Sequence, residues 1–293
     1  MIHLFFEACN LSSLITQHLS HSIKLRFTLG SIYAICRVKL SDQVKTSHFE
    51  PALPLNFCKA SELQSEPCLY FHDENLDRLI GGLRLGSVIF LYGSSQCSEF
   101  SELLCVRSQL SPRRGGFDSG AIFVDAGNTF DPYLISQYAE QFLLDRDRAL
   151  DRILVSRAFT YHQLTSLITQ VLPRTVHERK ARLIIVSDMP KIYCDPDVRH
   201  NQSLDLFKIT FNSLVTTAKI ERATALATSL NEEVSDSDPF LRAAKQRADI
   251  VLRFEKRRCS TKLVLEKHPT HSEESLLIRQ PTPRVLERFL EAT

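Results

Sequence analysis

The chain has 293 residues, 43% of them hydrophobic, with 36 Lys and Arg against 34 Asp and Glu. Such a length buries the core of one large α/β domain, and the near-balance of charge excludes a protein that holds nucleic acid by bulk electrostatics alone, so that any such contact must be local. The eight cysteines form no Cys-x-x-Cys pair and no Cys/His cluster at zinc spacing, which argues against a disulfide framework or a structural metal and for reduced thiols.

Residues 1–50 are rich in His and poor in acids. Their apolar stretches are interrupted and fall short of the roughly 20 residues of a membrane span, and no secretory leader is visible. We expect a poorly ordered or wrongly started extension there, in a cytoplasmic protein. Residues 51–75 read as a linker, 76–280 as the core, and 281–293 as an amphipathic tail set off by Pro281 and Pro283.

From Leu76 the pattern becomes regular. Short apolar runs over 87–92, 121–125 and 182–186 read as strands buried on both faces of a parallel sheet. A fourth central strand fits 224–229, and helices fit 99–110, 132–142, 161–172 and 204–221. Strands alternating with helices of this length predict right-handed crossovers, with helices on both faces of a mainly parallel, twisted α/β sheet. Residues 249–254 and 261–266 flank the basic turn Lys256, Arg257, Arg258 and predict a hairpin near the end of the sheet.

In an open α/β sheet ligands sit beyond the carboxyl ends of the strands, so the turn after Tyr92 is the first candidate site. It reads Gly93, Ser94, Ser95, Gln96, Cys97, Ser98, Glu99, Phe100. A working phosphate loop, Gly-x-x-x-x-Gly-Lys-Ser/Thr, wraps phosphates in backbone N–H groups, reaches them with Lys and binds magnesium through the hydroxyl. Here Ser98 stands for the second glycine, Glu99 for Lys and Phe100 for the hydroxyl residue. Glu99 would set a negative charge against a triphosphate.

Residues 56–278 resemble the RecA/RadA recombinase family, and most of all its archaeal RadA-like members, in the order and spacing of five segments. They are the approach to the first core strand with Gly81, Gly82 and Gly86; Ser108 to Pro112 after the first helix; Asp125 to Phe130, where the family has Asp-Thr-Glu-Gly-Thr-Phe; Arg157, Ala158, Phe159, His162 and Gln163, similar to Arg-Ala-Phe-x-x-x-His-Gln; and the strand end at Ser187 and Asp188. ATPases related to the clock protein KaiC share the Gly-Gly approach but account less well for residues 157–164. The resemblance implies a RecA-like P-loop NTPase core.

It also implies which catalytic positions have changed. The water-polarising glutamate aligns with Gly127, which has no side chain to act as a base. The magnesium-associated aspartate aligns with Ser187, one position before Asp188, and the γ-phosphate sensor with Leu230 or Asn231. Phosphoryl transfer needs all these parts together, so we expect no catalytic residues, no resident cofactor or metal and at most weak ATP binding. Asp125 and Asn128 are expected to cap the helix starting near Pro132.

Phe57 and Ala60 resemble the Phe-x-x-Ala motif by which recombinase protomers dock, an aromatic anchor filling a neighbour's pocket. The family's DNA loops would place Lys191, Tyr193, Arg199 and His200 in the first loop, with the acidic segment 231–238 and then Arg242, Lys245 and Arg247 at the second. Arg113 and Arg114 read as a solvated turn. The implied protein is an inactive recombinase paralog in DNA repair or homologous recombination, its partners an active RadA-type recombinase or itself and single-stranded DNA, with no membrane. An ATPase that binds ATP in trans and a scaffold without a DNA role are the alternatives.

Overall fold

A computed structural model of the protein describes residues 66–194, 200–232, 237–256, 260–271 and 274–278. Among them, no helix is long and apolar enough to cross a membrane.

Chain order begins with β1 (Cys68–Leu69), α1 (Glu74–Ile80), β2 (Leu83–Arg84), β3 (Val88–Tyr92) and α2 (Gln96–Arg107). It continues through β4 (Ala121–Asp125), α3 (Pro132–Gln141), α4 (Arg146–Asp151), β5 (Ile153–Arg157), α5 (Tyr161–Ser166) and α6 (Leu172–Arg179). Then come β6 (Leu183–Ser187), α7 (His200–Ile220), β7 (Thr224–Ser229), α8 (Pro239–Arg247), β8 (Ile250–Lys256), β9 (Thr261–Lys267) and β10 (Glu274–Ile278). Eight strands form one sheet in the order β10-β9-β8-β3-β7-β6-β4-β5. The six from β8 to β5 are parallel, and β8, β9 and β10 continue antiparallel.

The central strands are buried throughout and mostly apolar because both faces of the sheet are covered. Ile89, Leu91, Phe123 and Ile185 point into a core shared with Leu104 of α2 and Ile135 of α3. Their alternates Phe90, Val124 and Ile184 point into the opposite core, against Leu164 of α5, Phe207 and Phe211 of α7 and Phe240 of α8. The two-residue side-chain period of a strand sorts the residues. The expected α/β architecture and the hairpin after β8 are present.

Three features depart from the expectation. The core begins before residue 76, because β1 pairs with β2, Asp73 caps α1 and Phe71 is buried, so residues 68–75 are part of the fold. β5, the strand at the sheet edge, departs from it as well: only Ile153 of its five residues is buried, since one flank lacks a paired strand. The helix after residue 161 runs to Arg179 through a π-helical turn at Leu167–Val171. Pro173 has no N–H to donate to the preceding turn, and the wider turn shifts the pairing, with Leu172 N–H reaching the carbonyl of Leu167.

Candidate functional site

The carboxyl ends of β3, β4, β6 and β7 converge on one edge of the sheet. Gly93 leaves β3 at φ 100°, and its N–H donates to the Ser229 carbonyl at the end of β7. A Cβ there would lie 2.6 Å from the Phe254 carbonyl oxygen, so no other residue fits without moving β8.

The loop after Gly93 is short. α2 starts at Gln96, two residues before the position where a phosphate loop would still be open. The N–H groups of Cys97 and Ser98 donate to the carbonyls of Ser94 and Ser95 at 3.1 and 3.0 Å, and the Gln96 side-chain carbonyl accepts from the Thr261 hydroxyl on β9. These two backbone donors are thus spent within the start of the helix and are not open to a phosphate. Cys97 is fully buried, and burial raises its thiol pKa. Ser98 Oγ is enclosed without a hydrogen-bond partner.

Glu99 is half-buried, and burial pushes its carboxyl above the usual carboxylate range. Phe100 does not face the loop. Its ring packs against Phe71 at 5.9 Å and Phe254 at 5.1 Å between centroids, inside the core. One turn further, buried Glu102 accepts from the Asp131 N–H at 2.7 Å. Burial, followed by the carboxylates of Asp131, Glu99 and Asp125, raises Glu102 to about 8, while the Asp131 N–H opposes the shift. Sequence reasoning missed Glu102; its one signal was the three-residue spacing from Glu99, which puts both carboxyls on one helix face. Tyr138 of α3, buried beside both, is pushed up to about 12.

At the end of β4, Asp125 is buried and fully engaged. Oδ1 accepts from Thr129 N–H at 2.9 Å and the Ser187 hydroxyl at 2.9 Å; Oδ2 accepts from Arg157 Nε at 3.2 Å and Phe130 N–H at 3.4 Å. Asp125 therefore closes the turn 125–130 and does not cap the next helix; Asp131 caps α3, accepting from the Tyr133 and Leu134 N–H groups. Asn128 is at the top of that turn with φ 55° and is not a helix cap either. A Cβ on Gly127 would lie 2.6 Å from Asp188 Cβ, so the turn leaves no room for a side chain.

Asp188, in left-handed conformation at φ 44°, is buried between strand ends. Its Oδ1 accepts from Leu230 N–H at 3.0 Å, and its own N–H donates to the Thr228 hydroxyl at 2.8 Å. Ser187 and Asp188 are thus brought beside Asp125, but each is bound to protein groups. Leu230, at the sensor position, is partly buried against the core, and Asn231 is exposed. This donor set does not fit a triphosphate and its magnesium: it offers a carboxylate, a buried ring and committed N–H groups where phosphate needs open donors.

The residues expected at DNA separate. Lys191 is exposed, 3.6 Å from Asp188 Oδ2. Tyr193 is buried, and its hydroxyl bonds to Thr165 and Thr210, so it cannot stack on a base. Lys245 pairs with Glu266 at 2.8 Å and covers the Tyr92 ring, and Arg247 is held by Asn212 and the Ala243 carbonyl. Arg242 is exposed. His200 opens α7, while Arg199, Phe57, Ala60 and residues 257–258 lie outside the described residues.

A family model described as Rad51 matches residues 70–216, half of the chain. The chain is 28% identical over 142 residues to a DNA repair protein RAD51 homolog of Solanum lycopersicum, covering 46% of this chain and 42% of the relative. It is 28% identical over 174 residues to the human meiotic recombination protein DMC1/LIM15 homolog (55% and 51%), and 30% identical over 142 residues to the DNA repair protein RAD51 homolog B of Zea mays (46% and 42%). The chain spans about half the length of the curated relatives it matches. The matched segment begins just after β1, runs through most of α7 and so contains the β3–α2 loop, the β4 turn and the Ser187 strand end: the chain belongs to the Rad51 family.

Proposed function

We propose that this chain is a catalytically inactive recombinase paralog that acts in homologous recombination or DNA repair by joining or modulating a filament made by an active recombinase. The observation that carries the reading is the β3–α2 junction, where Cys97 and Ser98 N–H groups are bound within the helix and Phe100 is core. Phosphoryl transfer depends on positioning and charge stabilisation, and Glu99, Phe100, Gly127 and Ser187 supply neither the charge nor the base. The names of the relatives, which are DNA repair and meiotic recombination proteins, support the pathway. The partner is an active recombinase or a second copy of this chain, docked through Phe57, together with single-stranded DNA.

Phosphate release by the pure protein, with and without single-stranded DNA, tests the inactivity. DNA-stimulated turnover that Asp125→Asn abolishes would refute it and favour an ATPase. Co-purification of the native protein followed by mass spectrometry tests the partner, and Phe57→Ala should lower association while leaving melting unchanged. If melting falls and association does not, Phe57 covers its own domain and filament docking is lost.

A further inference from the structure

We propose that His268 is a pH-sensitive latch: its neutral imidazole ties the turn between β9 and β10 to the end of α1, and protonation of Nδ1 releases that turn. The latch stands whether or not the chain joins a recombinase filament.

The turn is built on this one ring. Pro269 has no N–H to give, so the first backbone donors after His268 are those of Thr270 and His271, and both reach Nδ1 at 3.1 Å. The Thr270 hydroxyl adds a contact at 3.2 Å. A backbone N–H can only donate, so Nδ1 carries the lone pair and the ring proton is on Nε2. The ring also bonds to the backbone of Ile80, the last residue of α1, where the carbonyl accepts that proton. His271 stands over Gly81, the α1 cap at φ 72°, since a Cβ there would lie 3.4 Å from the His271 Nε2. The two imidazoles meet edge to face, 4.6 Å apart. Lys267 is anchored elsewhere, its Nζ donating to the carbonyls of Lys245, Gln246 and Ala248 at the end of α8. Two consecutive side chains thus pin the turn to two helix ends, and histidine is the residue type that titrates near neutral pH.

A proton on Nδ1 turns the acceptor of the turn into a donor aimed at two N–H groups. The turn then has to open. Burial first, then His271 within the turn and Arg84 of β2, hold His268 below the usual imidazole range, while the Ile80 carbonyl opposes them. With the folded value depressed, the latch is whole above the ordinary 6.5 and is lost as pH falls through the lower value of the fold. β10 ends the sheet, paired to β9 on one flank and lying beside α1. Opening the turn frees the start of β10 while Lys267 keeps the end of β9 in place.

The test is hydrogen exchange by mass spectrometry on the full chain at pH 7.5, 6 and 5, each rate divided by the intrinsic chemical rate at that pH. Peptides covering Thr270 to Ile278 should lose protection by about fivefold across that range, and β4 should lose none. His268→Asn, whose side-chain oxygen accepts from the same N–H groups without titrating, should hold protection constant. His271→Asn removes one opposing cation and should move the loss to higher pH. Wild-type protection that does not fall, or a fall that persists in His268→Asn, overturns the latch. Should His268→Asn fail to fold, nitrogen NMR of the wild-type imidazoles decides: an Nε2–H tautomer at pH 7.5 that becomes imidazolium as protection falls supports the latch, and an Nδ1–H tautomer overturns it.

Discussion

The hydroxyl of Ser187 donates to Asp125 Oδ1 at 2.9 Å, tying the ends of β6 and β4 where the resemblance would place an aspartate beside magnesium. The serine thereby satisfies a buried carboxylate. Ser187→Ala should cost about 1 to 3 kcal/mol, the penalty for leaving a buried acceptor short of a donor. Ser187→Asp, which restores the family's acid, should cost more, because two carboxylates would share one small site. Its deficit should shrink as pH falls toward 4 and one of them protonates. Chemical denaturation of both variants at pH 7 and pH 4.5 checks this; an Asp variant as stable as wild type at pH 7 would mean the strand ends can separate.

Rebuilding the loop's charge should not rebuild its function. The double variant Ser98→Gly, Glu99→Lys restores two residues of the phosphate-loop pattern, but Cys97 and Ser98 N–H groups are already bound to Ser94 and Ser95 carbonyls within α2. Opening them means unwinding the first turn of the helix. Calorimetry should detect no ATP binding to the double variant above that of wild type. Binding that appears on this substitution alone would show that the loop shape survives and only the charge was lost.

What the sequence discloses is set by how local the signal is. β4 and β7 have the bounds their sequence predicts because both faces are covered and every residue is buried, which leaves short runs of apolar and small residues bounded by polar strand ends. β5 was invisible as a strand because an edge position demands burial of Ile153 alone. α2 was expected three residues late, since a full phosphate loop was assumed through Ser98, whereas the carbonyls of Ser94 and Ser95 start the helix at Gln96. Tyr193 looked like a DNA contact by its place after β6, but the hydroxyls that bury it belong to Thr165 and Thr210, distant in sequence. Asp125 was legible as a capping group and misassigned to a helix, because the N–H groups of its own turn are nearer.

Glu102 should make the protein less stable as pH rises. Burial raises its pKa in the fold to about 8, from an ordinary value near 4.5 when unfolded. Between those values the folded state holds a proton that the unfolded state has released, so the stabilisation is complete below about 4.5 and lost as pH climbs through about 8. Glu102→Gln keeps an acceptor for the Asp131 N–H and removes the titration. The difference in melting temperature between variant and wild type should therefore be small at pH 5 and grow in favour of Gln up to pH 8.5. A constant difference across that range would show that Glu102 is ionised in the fold at neutral pH.

Phe100 separates a loop that has merely lost residues from one that has become core. In the phosphate-loop pattern its position carries a hydroxyl facing solvent and metal. In this fold its ring is buried against Phe71, which precedes α1, and Phe254 of β8, joining α2 to both within one core. Phe100→Thr restores the hydroxyl and removes the ring. A buried Phe truncation leaves a cavity as well as losing transfer energy, and such changes cost about 3 to 5 kcal/mol; the buried hydroxyl, with no donor or acceptor prepared for it, adds to the loss. Urea denaturation should show a midpoint lowered by that loss divided by the slope, with the slope unchanged, the signature of lower stability without altered compactness. Magnesium and ATP together should recover none of it, since a ligand stabilises only by binding the folded state. Should Phe100→Thr instead cost under about 1 kcal/mol and regain stability with magnesium ATP, the ring is dispensable packing over a phosphate site that still forms, and the inactive reading of this chain is wrong.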